Sequence, residues 1–298
     1  MKKTTIALLT AAAMGTSGAV MAANHGPEFS GRLDIRYSNE SGDGNNGVLN
    51  GGSSQFEVSG SGEAIQGITT SYYLRLNVRD LGDSDDMAFD YRVLRASGDF
   101  GTVSAGVDDD LVYKFAGAHT DVFRTLGVTS GAYYSDGYPG EDGDFGKTNS
   151  LQYSFGIEGV TFAAYADTSA DDGIERSQFA VGYSAGPADF GLIYSDRDDA
   201  GDESQLVFGT RIDLDLVSLR GHVSDDESGN NPYAVAAVVP LTDMLTFTAG
   251  YGDDDVDESA AAFKLMANLG GGLDVHIDYR NGGSGVEDAI GAGARLSF

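Results

Sequence analysis

The chain has 298 residues, with 46 acidic side chains against 18 basic ones and a formal net charge of −28. Such acidity argues against nucleic acid as a partner, because phosphate binding needs basic patches, and it is compatible with attraction of cations or with halophilic surface chemistry. There is no cysteine and hence no disulfide framework, while 43 glycines, five prolines, 15 Tyr and 15 Phe suit a sheet protein with many tight turns and aromatic girdles.

Met1-Lys2-Lys3, the short mostly apolar run Ile6 to Met14 and the small-residue site Ala19-Val20-Met21-Ala22 predict a secretory signal peptide over residues 1–22. An exported chain of residues 23–298 remains, more acidic by the loss of Lys2 and Lys3. The apolar run is too short to cross about 30 Å of hydrocarbon as a helix. No later stretch offers eighteen apolar residues in a row, so helical membrane spans are excluded.

The exported part alternates apolar and polar residues in short segments, separated by Gly/Asp/Asn/Ser clusters, and this is the pattern of strands and turns. The first segment carries Phe29, Leu33, Ile35 and Tyr37, interleaved with Ser30, Arg32, Asp34 and Arg36. A second lies around Phe56 and Val58. The third sets Ile68, Thr70, Tyr72, Leu74, Leu76 and Val78 opposite Ser71, Tyr73, Arg75, Asn77 and Arg79. In the fourth, Met87, Phe89, Tyr91 and Val93 stand opposite Asp90 and Arg92; the fifth carries Val103, Ala105 and Val107. Eleven more follow between Leu151 and Phe298, giving sixteen, an even number that suits antiparallel closure.

Between the fifth and sixth segments lies a stretch of about forty residues without a strand pattern, about 108–148, and long loops inside compact proteins are usually functional. Its acids, Asp108, Asp109, Asp110, Asp121, Asp136, Glu141, Asp142 and Asp144, outnumber Lys114, Arg124 and Lys147. The expectation is an acidic loop folded into the lumen of a membrane barrel, narrowing the hole. The other connections alternate: short ones such as 97–99, 156–159 and 185–187, then longer acidic ones such as 168–174, 196–202, 225–231 and 253–258. Short periplasmic turns alternating with longer external loops are expected of an outer-membrane barrel.

Water cannot satisfy backbone polar groups in hydrocarbon, so a spanning sheet must close on itself, with apolar side chains toward lipid and polar ones toward the lumen. An arginine on the lipid face near the midplane costs about 2–4 kcal/mol. The pattern places Arg32, Arg36, Arg75, Arg79 and Arg92 on the polar faces of the first four strands, predicting a basic wall toward water. Sixteen strands enclose an aqueous channel rather than a filled core. Acid on the loop facing arginine on the wall would set a transverse field that orients dipolar solutes, and rings of acids favour cations.

Four stretches resemble the trimeric general porins of Gram-negative outer membranes, in particular an alphaproteobacterial branch: Phe29-Ser30-Gly31-Arg32-Leu33, Gly98-Asp99-Phe100-Gly101-Thr102-Val103-Ser104-Ala105-Gly106, Asn149-Ser150-Leu151-Gln152-Tyr153 and Ala294-Arg295-Leu296-Ser297-Phe298. The resemblance implies a sixteen-stranded antiparallel barrel, a homotrimer in outer-membrane lipid and lipopolysaccharide, and passive diffusion of small hydrophilic solutes without catalysis. Val107 and Glu57 stand where such proteins often carry arginine, and the loop motif Pro-Glu-Phe-Gly-Gly of the enterobacterial members is absent. The thinner basic wall and the many acids turn the expected selectivity toward cations.

Other chemistry finds little support. Gly42-Asp43-Gly44-Asn45-Asn46-Gly47 fits a dinucleotide fingerprint, but no helix opens after it. No GxSxG elbow occurs, and His25, His119, His222 and His276 lack metal spacing. Asp196-Arg197-Asp198-Asp199-Ala200-Gly201 fails as an EF-hand. Weak Ca²⁺ or Mg²⁺ binding at Asp253, Asp254 and Asp255 is a second expectation, beside plain solvated charge. A substrate-specific channel and a non-channel surface or adhesion β-protein are the alternative functions.

Overall fold

The computed structural model describes residues 27–40, 48–50, 54–78, 87–123, 148–169, 173–174, 176–197, 204–226, 231–253, 259–283 and 287–298. Seventeen strand segments form one sheet. They are β1 Glu28–Glu40, β2 Val48–Asn50, β3 Gln55–Ile65, β4 Ile68–Val78, β5 Met87–Gly98 and β6 Gly101–Asp108. After a helical segment come β7 Thr148–Ile157, β8 Val160–Asp167, β9 Arg176–Ala185, β10 Ala188–Arg197, β11 Gln205–Asp213 and β12 Ser218–Asp226. The last are β13 Tyr233–Pro240, β14 Leu245–Asp253, β15 Ser259–Gly270, β16 Leu273–Gly282 and β17 Ala289–Ser297.

Consecutive strands pair antiparallel except β2 and β3, which both pair with β1, and β1 pairs with β17, so the sheet closes into a barrel. β2 and β3 share one place beside β1, opposite Arg36–Ser38 and Glu28–Arg32 respectively, which makes seventeen segments sixteen staves. At the interruption between them the Ser54 hydroxyl accepts the Asp34 N–H (2.9 Å) and donates to the Asp34 carbonyl (3.1 Å), so a side chain continues the ladder there. The barrel contains the sixteen strands expected from the sequence.

Two details show why the chain closes as it does. Glu158 (φ 48°) and Gly159 (φ 84°) form the two-residue turn between β7 and β8, both in the left-handed region that matches the twist of a hairpin. At the seam, Gly31 N–H donates to the Phe298 carbonyl (3.0 Å) and Phe298 N–H to the Gly31 carbonyl (3.1 Å). A Cβ on Gly31 would stand 2.8 Å from the Phe298 ring, which also meets Phe56 edge-on at 6.1 Å. The terminal aromatic thus packs against the first two staves.

The faces are inside out relative to a soluble protein. Leu33, Ile35 and Tyr37 of β1, Phe179, Val181 and Tyr183 of β9, and Leu192 and Tyr194 of β10 are exposed on the outer surface. The inward positions include the buried polar residues Asp34, Gln178, His222, Thr248, Lys264 and Asp278, together with apolar Ile193 and Val207. Hydrocarbon outside and polar lining inside is the arrangement of a membrane barrel with an aqueous interior.

β5 departs from the sequence pattern. Arg75 pairs with Tyr91 but Leu76 pairs with Phe89, leaving Asp90 as an extra residue in a β-bulge. An extra residue reverses the alternation beyond it. Tyr91 and Val93 therefore turn inward and are buried, while Leu94 is exposed on the outer face. Arg92, expected on the water side, is exposed on that outer face with it. Arg79 lies outside the described residues.

Candidate functional site

The chain leaves the wall at Asp108, and residues 111–120 are helical, with Tyr113–Gly117 wound in π geometry and Ala118–Thr120 in α geometry. Leu111, Val112, Phe115 and Ala116 recur at helical spacing and make one apolar face. That face packs on Ala163, Tyr165, Ala180, Ile193 and Val207, inward residues of β8 to β11. Glycines on neighbouring staves let the backbone come close. A Cβ on Gly182 would lie 2.6 Å from the Phe115 ring, one on Gly209 2.5 Å from the Ala116 Cα, and one on Gly250 2.8 Å from the Phe123 ring. Residues 111–123 thus lie against the inward-facing side of the barrel, while residues 124–147 lie outside the described residues.

Polar bonds fix the segment at both ends. Gln178 accepts the Leu111 N–H at 2.7 Å and donates to Asp110 at 3.0 Å, and Asp110 also accepts the Tyr113 N–H at 2.8 Å. The Arg176 guanidinium stands 3.7 Å from the same carboxylate. Complete burial pushes the Asp110 carboxyl above the ordinary carboxylate range, opposed by the Tyr113 N–H, Arg176, Gln178 and Lys114. At the other end Thr120 Oγ1 bonds His222 Nδ1 at 2.8 Å, and Lys264 Nζ donates to the Val122 carbonyl.

The acids expected to face passing solute divide into two groups. Asp108 is buried and holds Arg95 (3.1 Å) and Lys114 (2.9 Å); Asp110 is fully buried in the bonds just described. Both anchor the segment, because the apolar face carries them under the helix. Asp109 and Asp121 line a cavity inside the barrel. Asp109 accepts the Tyr91 hydroxyl, and Asp121 accepts the Tyr113 hydroxyl at 2.7 Å. Glu141, Asp142 and Asp144 lie outside the described residues, as do Asp254 and Asp255. Asp253 accepts the Tyr251 hydroxyl at 3.1 Å, and among the described residues no group of three or more ligating side chains could hold a metal ion.

That cavity inside the barrel measures about 610 Å³. The segment supplies one side with Asp109, Tyr113, Asp121 and Phe123, and the wall supplies Arg32, Arg36, Arg75, Arg220, Lys264 and Arg295. Asp34, fully buried, holds Arg36 at 2.8 Å and Arg295 at 2.6 Å. Asp90 in the bulge takes Arg75 Nε at 2.8 Å, and the Arg75 guanidinium lies 3.9 Å over the Tyr91 ring. Glu57 faces inward opposite Arg75 and accepts the Ser30 hydroxyl at 3.2 Å. Arg32, Arg36 and Arg75 thus line one cavity. The structure adds Arg220, Lys264 and Arg295, each an alternate of outward residues, which the same alternation rule would have found. The lining carries positive charge from the wall and negative charge from the segment.

A family model described as Gram-negative porin matches residues 9–285, and no curated protein matches the chain. Among solved structures, in-vitro folded OmpT, an outer membrane protein of Vibrio cholerae in trimer form, is 14% identical with a TM-score of 0.72, covering 92% of this chain and 99% of that one. An anion-selective porin from Comamonas acidovorans is 18% identical with a TM-score of 0.71, covering 92% and 99%. OmpF of Salmonella typhi in complex with daunomycin is 12% identical with a TM-score of 0.72, covering 91% and 97%. At these identities the likeness is one of fold.

Proposed function

Since the chain belongs to the Gram-negative porin family, its barrel is an outer-membrane diffusion channel, and we propose that it passes small hydrophilic solutes and ions with a preference for cations. The observation that carries the channel reading is the polar cavity between the wall cations and the segment that bears Asp109 and Asp121, while the cation preference rests on the acidity of the chain. Charge of both signs across a narrow, low-dielectric passage focuses a transverse field; a dipolar solute turns to match it and an apolar one gains nothing. No covalent step is needed. The active unit is a homotrimer in outer-membrane lipid and lipopolysaccharide, exported behind a leader over residues 1–22.

The cation preference draws on acidic side chains outside that cavity. In the described lining of the cavity, six cations face Asp109 and Asp121, with Asp34 and Asp90 as counterions, so the narrow part does not itself favour cations. The chain as a whole carries −28. Exposed charge acts over a Debye length of about 10 Å at 0.1 M salt and about 3 Å at 1 M. Reversal potentials across planar bilayers should therefore show cation selectivity at 0.1 M KCl that fades at 1 M. Anion selectivity at 0.1 M would reject the preference, and selectivity that persists at 1 M would place it in the narrow part instead.

A further inference from the structure

Behind the helical segment lies a second cavity, of about 310 Å³, whose lining shares no residue with the main cavity. Its place follows from the strands. Thr102 of β6, Ser154 of β7 and Thr161 of β8 face it from beside the short connections at 98–101 and 157–160, whereas the segment leaves the wall farther along, at Asp108. The niche therefore sits beneath the segment, toward the short-turn end, which is the periplasmic end of such a barrel.

Its chemistry is asymmetric. At one end Arg95 Nη2 and Lys114 Nζ converge on the same oxygen of Asp108, at 3.1 and 2.9 Å, and Lys114 also donates to Gln152 at 2.7 Å. The Asp108 side chain is 5% exposed, but those of Arg95 and Lys114 keep 33% and 30%. Two cations sharing one covered carboxylate leave a net positive charge directed into the niche. Thr102, Ser104, Ser154 and Thr161 line part of the wall, and Leu111, Phe115, Tyr153 and Ala163 make the larger, apolar part of the surface.

From this juxtaposition we infer that the niche is a subsite for a small sugar acid, a solute with one carboxylate and several hydroxyls. The carboxylate pairs with Arg95 and Lys114 as charge-assisted hydrogen bonds. The hydroxyls meet the wall, and the C–H face of the solute rests on Phe115. A neutral sugar lacks the charge, and a simple carboxylate lacks the hydroxyls. The volume stands at the lower end of small-ligand pockets, roughly 300–1,000 Å³. The subsite rests on the channel reading only for how the solute arrives.

Calorimetric titration of the full barrel, refolded in detergent, tests the subsite with D-gluconate, D-glucose and acetate as probes. The expected result is saturable gluconate binding, one per chain, at least about tenfold tighter than either other probe. Arg95→Gln and Lys114→Met should each weaken it about tenfold, the equivalent of one charged hydrogen bond. Thr161→Val, which leaves the Asp108 ion pairs alone, should weaken it less, and serves if the charge variants fail to fold. Equal affinity for the three probes overturns the inference. So does gluconate binding that survives Arg95→Gln, Lys114→Met and Thr161→Val but is lost in Arg32→Gln, which would move the site to the main cavity. A bilayer that stays silent in KCl while gluconate still binds with these preferences supports the subsite and rejects the channel reading, so the two fail separately.

Discussion

Replacing Gly209 tests how the helical segment is held. Gly209 faces inward from β11, and a Cβ there would lie 2.5 Å from the Ala116 Cα and the Phe115 carbonyl oxygen and 2.7 Å from the Ala116 Cβ. Ordinary contact begins near 3.4 Å, so Gly209→Ala falls roughly 1 Å short of room. The neighbours are backbone on one side and barrel wall on the other, and neither can rotate away. Overpacking of this kind costs about 1–3 kcal/mol. Against it stands the apolar seat: Leu111 and Val112 are each 2% exposed, and full burial of such side chains contributes about 1.5–3 kcal/mol apiece. The alanine variant should keep the segment seated but loosened, with noisier open-channel current. Gly209→Leu adds three further carbons in the same place and should drive the segment off the wall, giving larger single-channel steps in planar bilayers. The heat-shifted electrophoretic band should persist, because the outer face is untouched. A folded Gly209→Leu protein with unchanged conductance would refute the seating.

Three other changes separate roles that neighbouring residues play. Asp34→Ala leaves Arg36 and Arg295 side by side without the carboxylate between them; removing one partner of such a buried set costs about 3 kcal/mol, and the temperature at which the folded band disappears should fall, an unchanged value telling against the seam. Arg92→Leu removes a cation from the outer face, where lipid contact penalises arginine by about 2–4 kcal/mol near the midplane; urea unfolding in lipid vesicles should show a gain, and a loss would mean the guanidinium is bound there. Asp109→Asn should shift the reversal potential toward anions at low salt, whereas Asp110→Asn should instead disturb the segment and raise current noise; the same response from both would erase the distinction between the lining and the anchoring acid.

The barrel was legible in the sequence because its strands obey one rule, alternation, and each strand of β1 type states it locally: Leu33, Ile35 and Tyr37 outward, Arg32, Asp34 and Arg36 inward. Alternation fails where an extra residue enters, and nothing in the local text around Asp90 marks the bulge; its register is set by pairing with β4, through Arg75 and Tyr91. The break between β2 and β3 is likewise bridged by Ser54 bonding across to Asp34, a long-range contact. Within Asp108-Asp109-Asp110 the three carboxylates look alike, yet the chain turns into a helix there, so the first and third go under it and only the second lines the cavity with the wall arginines. The spacing of Leu111, Val112, Phe115 and Ala116 does announce that helix. The glycines of the wall that receive it announce nothing until the staves are assembled.

The absence of native cysteine allows the central claim, that the arginine-bearing face of the wall surrounds water, to be tested with two adjacent positions. Arg32→Cys and Leu33→Cys, each in the refolded barrel in a planar bilayer, are exposed to a membrane-impermeant, charged thiol reagent. Conductance should change stepwise at position 32 and stay constant at 33. A response at 33 with none at 32 would contradict the assignment of the two faces.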